Sequence, residues 1–117
     1  MTWVRGRSFA LGRLPVGVRN KTEDAYEARL KALTAAGTYL WYRFEGLKLR
    51  LADNTFYTPD FAVMNANYGL ECHEVKGFWT DDARVKIKVA AEMYPFRFLA
   101  VTARAKKLGG GWDVEEF

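Results

Sequence analysis

A single cysteine, Cys72, and a single histidine, His73, in 117 residues set the first limits. One cysteine excludes an internal disulfide and a cysteine-rich zinc site. One histidine excludes a multi-histidine metal centre and leaves no strong Ser-His-Asp candidate. No apolar run approaches the length of a membrane span, and the first residues lack the apolar core of a signal peptide. A soluble, cytoplasmic protein with no membrane partner is expected. Acidic residues are missing from the first 21 positions, which hold Arg5, Arg7, Arg13, Arg19 and Lys21.

What remains is rich in apolar side chains. Half the residues are hydrophobic and 15% are aromatic, so the chain can bury one core and is not disordered. Its net charge of +4 favours a polyanionic partner without identifying one. Residues 1–19, with Gly6, Gly12, Pro15 and Gly17 among the arginines, read as a flexible basic arm. Residues 20–117 read as one domain.

Within that domain Asn20 and Glu23 have the spacing of a capping box. Tyr26, Leu30 and Leu33 follow at helical period up to Gly37. On about 100° per residue, Glu23 projects close to that apolar stripe and Glu27 further from it. Strands are expected over 39–44, 47–51, 56–64 and 70–76, with Glu45-Gly46 as a hairpin and Pro59 as an edge or bulge. Thr80-Asp81-Asp82 caps a second helix that runs to about Met93 and stops before Pro95. A hydrophobic strand over 96–102, central or parallel because it follows a helix, and a short element over 112–117 complete an α+β (mixed α/β) domain.

The chemistry is concentrated in Tyr57-Thr58-Pro59-Asp60-Phe61 and Glu74-Val75-Lys76-Gly77. Strand alternation puts Glu74 and Lys76 on one face, and an antiparallel neighbour brings Asp60 within roughly 5–7 Å of Glu74. Carboxylates that close repel unless a cation separates them. Mg²⁺ or Mn²⁺ on Asp60, Glu74 and the Val75 backbone carbonyl resolves the conflict. Lys76 then orients water or neutralises a phosphate oxygen, and Glu23 completes the site from the first helix. Alone, Glu-x-Lys is an ordinary surface pair and Pro-Asp an ordinary turn signal; their order and spacing together make the signal.

These two motifs, with Phe78-Trp79, Asp81-Asp82 and the basic helix ending at Tyr94-Pro95, resemble the PD-(D/E)xK nuclease superfamily over residues 20–102. Within it the chain is similar to the phage endonuclease I branch, the Holliday junction resolvases, and to small phage nucleases of similar length. The resemblance implies a restriction-endonuclease-like core, a twisted mixed sheet flanked by helices. It implies a Mg²⁺-dependent endodeoxyribonuclease acting on branched or nicked DNA, with Glu23, Asp60, Glu74 and Lys76 as catalytic residues. A phage origin implies work in the host cell cytoplasm. Endonuclease I is a homodimer that exchanges strands through an extended bridge. Here Glu45-Gly46 reads as a local hairpin, with no proline-rich bridge before Phe56.

Arg84, Lys86 and Lys88 on the second helix can meet DNA phosphates beside the basic arm, or form an ordinary solvated face. By parity His73 faces away from Glu74, and Cys72 reads as a small buried thiol. Trp3, Trp41 and Trp112 give no signal separable from packing. The competing function is a catalytically inactive nucleic-acid-binding or assembly module that keeps the nuclease fold.

Overall fold

The capping box at Asn20 forms as the spacing requires. In a computed structural model, which describes residues 19–77 and 80–117, Asn20 Oδ1 accepts the Glu23 N–H at 2.8 Å. Glu23 Oε1 in return accepts the Asn20 N–H at 3.0 Å, opening α1 (Lys21–Ala35). The helix closes in a Schellman arrangement. Thr38 N–H donates to Leu33 O, Gly37 N–H donates to Thr34 O, and Gly37 supplies the left-handed φ of 86°.

The strands are β1 (Tyr39–Phe44), β2 (Leu49–Ala52), β3 (Thr55–Tyr57), β4 (Phe61–Asn65), β5 (Leu70–Lys76), β6 (Arg97–Ala103) and β7 (Trp112–Glu116). α2 (Asp81–Met93) joins β5 to β6. The main sheet runs β1-β4-β5-β6-β7. Only β5 and β6 are parallel, as a helical crossover between neighbours demands. This is the α+β domain expected.

Each helix covers one sheet face. Tyr26 and Leu30 of α1 pack on Phe61, Val63, Val75 and Val101. Ile87 and Ala90 of α2 pack on Cys72, Phe98 and Ala100, joined by Leu49 and Tyr57 from the small β2-β3 hairpin. Among the described residues no helix is long and apolar enough to cross a membrane.

Two expectations are corrected. The single strand over 56–64 is two strands in different sheets, because Pro59 has no N–H to continue a ladder. Nor is Glu45-Gly46 a hairpin. Glu45 turns at φ 48° after its N–H donates to Asp60 O at 2.8 Å, so β1 stays with β4 and β2 leaves for β3. Residues 1–18 of the basic arm expected over 1–19, with Arg5, Arg7 and Arg13, lie outside the described residues, as do Phe78 and Trp79.

Candidate active site

Register brings the two motifs together. Phe61 pairs with His73 and Ala62 with Cys72, so Asp60, one residue before β4, stands opposite Glu74 on the same face. Asp60 Oδ2 accepts the Val75 N–H at 2.8 Å, which holds its carboxylate against β5. Lys76 Nζ reaches Glu74 Oε2 at 2.9 Å. Glu74 and Asp60 are buried and Lys76 is partly exposed, so the cation forms the solvent side of the cluster.

Tyr57 is the member that sequence reading quoted without giving it a role. Its buried hydroxyl donates to Glu74 Oε1 at 2.6 Å. Both Glu74 oxygens are thus held, one by Tyr57 and one by Lys76. Strand parity gave no hint of this contact, because β3 belongs to another sheet. Replacing Tyr57 with Phe leaves a buried carboxylate oxygen without its donor, an expected cost of roughly 1.5–3 kcal/mol in urea unfolding. No change in the unfolding midpoint would show that Glu74 finds another donor.

Charge is crowded here. Burial, then Glu74, then Glu23 push the Asp60 carboxyl well above the usual range, against the opposing Val75 N–H. For Lys76, burial is the largest single influence and favours the neutral amine. The combined attraction of Glu74, Asp60 and Glu23 outweighs it, and the pKa rises. Glu23 is therefore within electrostatic reach of both groups. Glu27 accepts the Tyr42 hydroxyl at 2.8 Å and pairs with Arg19 at 2.8 Å.

The cluster fits a hard cation in part. Asp60 Oδ1 accepts no hydrogen bond among the described residues, and a divalent ion shared with Glu74 relieves the repulsion that raises Asp60. Yet no group of three His, Cys, Asp or Glu among the described residues is gathered closely enough to hold a metal. Glu23, committed to its capping box, is the acid that stands off.

The basic residues divide. Arg19 is tied to Asp24 and Glu27, and Arg84 makes a two-pronged pair with Glu115. Lys21 and Lys88 are exposed, whereas partial burial lowers the Lys86 pKa against the pull of Asp82. On the other sheet face, fully buried His73 joins Tyr26 Oη at 2.7 Å to Glu71 Oε1 at 2.8 Å. That satisfied chain lies on the face away from Glu74, where strand parity puts His73. Burial, then Glu71 and Glu74, push the Cys72 thiol up to about 12, which makes it a poor nucleophile. No family model, curated protein or solved structure matches the chain.

Proposed function

We propose that the chain is a Mg²⁺- or Mn²⁺-dependent endonuclease that hydrolyses DNA phosphodiester bonds. The observation that carries the reading is the meeting of Asp60, Glu74 and Lys76 on one sheet face, with a lysine paired to a buried carboxylate. Asp60 and Glu74 would hold the ion, with the Val75 carbonyl and Glu23 as further oxygens. The bound ion supplies an activated water and stabilises charge on the phosphate. The protein's own groups do the positioning. Val75 N–H and Tyr57 Oη fix the two carboxylates, and Lys76 presents a positive charge to a phosphate oxygen or to the attacking water. The likeness to phage resolvases extends the proposal to branched DNA, a homodimer and the host cytoplasm.

One observation favours the alternative of an inactive binding module: the third acid, Glu23, is held in its cap. Fluorescently labelled linear, flapped and four-way-junction DNA, incubated with Mg²⁺, Mn²⁺ or EDTA, separates the two. Cleavage with either metal and none in EDTA is expected. Cleavage in EDTA overturns the mechanism, and tight binding without cleavage in either metal establishes the binding module.

A further inference from the structure

Beside Asp60 the same sheet face continues to the β1 edge. Arg43 pairs with Ala62, which pairs with Cys72, and Trp41 pairs with Met64. Trp41 and Arg43 therefore share the face of Asp60, Glu74 and Lys76. A bulge between Tyr39 and Trp41 lets Tyr39 join Tyr42 and Phe44 on the α1 side. Among the described residues, the helix α2 packs on β2, β3 and β6, away from the β1 end of this face.

Here lies a cleft of about 340 Å³ lined by Trp41, Tyr42, Arg43, Gly46 and Ala62. Its volume is at the lower end for small-molecule sites, too small for a duplex and ample for one nucleobase. A lone exposed tryptophan is ordinary. This one is 43% exposed at a cleft, beside an arginine with no ion-pair or hydrogen-bond partner among the described residues. Arg43 and Trp41 are two strand positions apart, about 7 Å, which suits a base on one and its phosphate on the other. Ala62 is likewise about 7 Å along the chain from Asp60, so the cleft adjoins the carboxylates.

We infer that this cleft binds an unpaired nucleobase of the strand being cut, stacked on Trp41, with an adjacent phosphate on Arg43. The inference deepens the nuclease reading, on which it rests for the polymer, by naming a substrate class: DNA with a frayed, flapped or single-stranded nucleotide beside the scissile bond. Gly46 makes room. A Cβ there would lie 3.0 Å from Arg43 Cβ, so the stem of Arg43 rests on the bare glycine.

The test measures binding by anisotropy in EDTA, where no cleavage interferes, using labelled single-stranded oligothymidylate and a blunt duplex. Trp41→Ala is expected to weaken single-strand binding about tenfold, Trp41→Phe far less, and duplex binding less than about twofold. Arg43→Ala is expected to reduce the log–log salt slope for the single strand by about 0.7, one phosphate contact. Circular dichroism checks that each variant is folded; Gly46→Ala, which presses on Arg43 from outside the ring site, provides a second route to the same weakening. Equal loss on both DNAs, or full single-strand affinity in Trp41→Ala and Arg43→Ala, overturns the inference. So does a wild-type protein that does not bind the single strand. Cleavage by wild type with an unaltered Trp41→Ala removes the cleft and keeps the nuclease. Trp41-dependent binding without metal-dependent cleavage does the reverse.

Discussion

Asp60→Asn is expected to abolish cleavage and yet yield a more stable protein. On the proposed function, the activity loss would follow from removing one of the two carboxylates that hold the ion. Losing about 4 kcal/mol of transition-state stabilisation is a fall of about 10³-fold. The stability gain follows from what the native carboxylate endures. Asp60 is buried beside Glu74 and within the field of Glu23, and these influences hold its pKa well above the usual range. Folded Asp60 therefore keeps its proton to higher pH than the unfolded chain does. Its contribution to stability is complete below the unfolded carboxylate value, about 3.9, and is lost as pH rises through the folded value. Above the unfolded value the raised pKa opposes folding. Asparagine carries no charge, and its amide oxygen can still accept the Val75 N–H that Asp60 Oδ2 accepts at 2.8 Å.

Thermal unfolding between pH 4 and 8 checks this. About 1 kcal/mol of relief moves the melting point of a domain this size by about 4 °C. The variant should gain most over wild type at the upper end of the range and least near pH 4. Added Mg²⁺ or Mn²⁺ should raise the wild-type melting point and leave the variant's nearly unchanged, since only the wild type keeps both ligands. A variant that is less stable than wild type at neutral pH would show that the like-charge strain is absent. One that still cleaves at the wild-type rate would remove Asp60 from the site. On the proposed function, activity and stability would oppose each other at this position, as they commonly do where charges are gathered for chemistry.

Why Asp60 was legible, and Tyr57 and Trp41 were not, is a matter of range. The capping box at Asn20, β1, β5 and the shared face of Glu74 and Lys76 depend on local spacing, and all stand where the spacing put them. Asp60 directly precedes the neighbouring strand β4, which a short turn joins to β5, so its position opposite Glu74 was also within reach. Local pattern failed where Pro59 ends one strand and a different sheet begins. Alternation within 55–57 says which side chains share a face, but not that the β2-β3 hairpin swings Tyr57 onto Glu74. In β1, alternation correctly separates Trp41 and Arg43 from Tyr42 and Phe44. It does not say that α2 stops short of them and leaves a cleft. Those facts are set by which strands pair and what packs above them. Tyr26 and His73 show the same limit: their hydrogen bond spans 47 residues of sequence.

Lys76→Ala is expected to slow single-turnover cleavage about 10²- to 10³-fold, the usual effect of losing one preorganised positive group at a developing charge. DNA binding in EDTA should change little, because one cation among many phosphate contacts contributes weakly to affinity. In the proposed mechanism Lys76 would work as a charge and not as a base. Burial would favour the neutral amine, but Glu74, Asp60 and Glu23 together raise its pKa above the ordinary lysine value. The ammonium thus persists through neutral and mildly alkaline pH, and cleavage should show no rise that tracks lysine deprotonation. The same shift ties Lys76 to stability. Its pairing contribution is fully present below the unfolded lysine value and is lost only as pH climbs through the raised folded one. In the alanine variant Glu74 keeps Tyr57 but loses the Nζ contact at 2.9 Å, so a lower melting point accompanies the rate loss. Rates are therefore measured at a temperature where circular dichroism shows the variant folded. Lys76→Arg separates charge from shape. A planar guanidinium keeps the positive charge but does not reproduce the compact ammonium against Glu74 Oε2, and partial activity between wild type and alanine is expected. Full activity in Lys76→Ala would leave the pair as a structural ion pair and remove Lys76 from the cleavage mechanism.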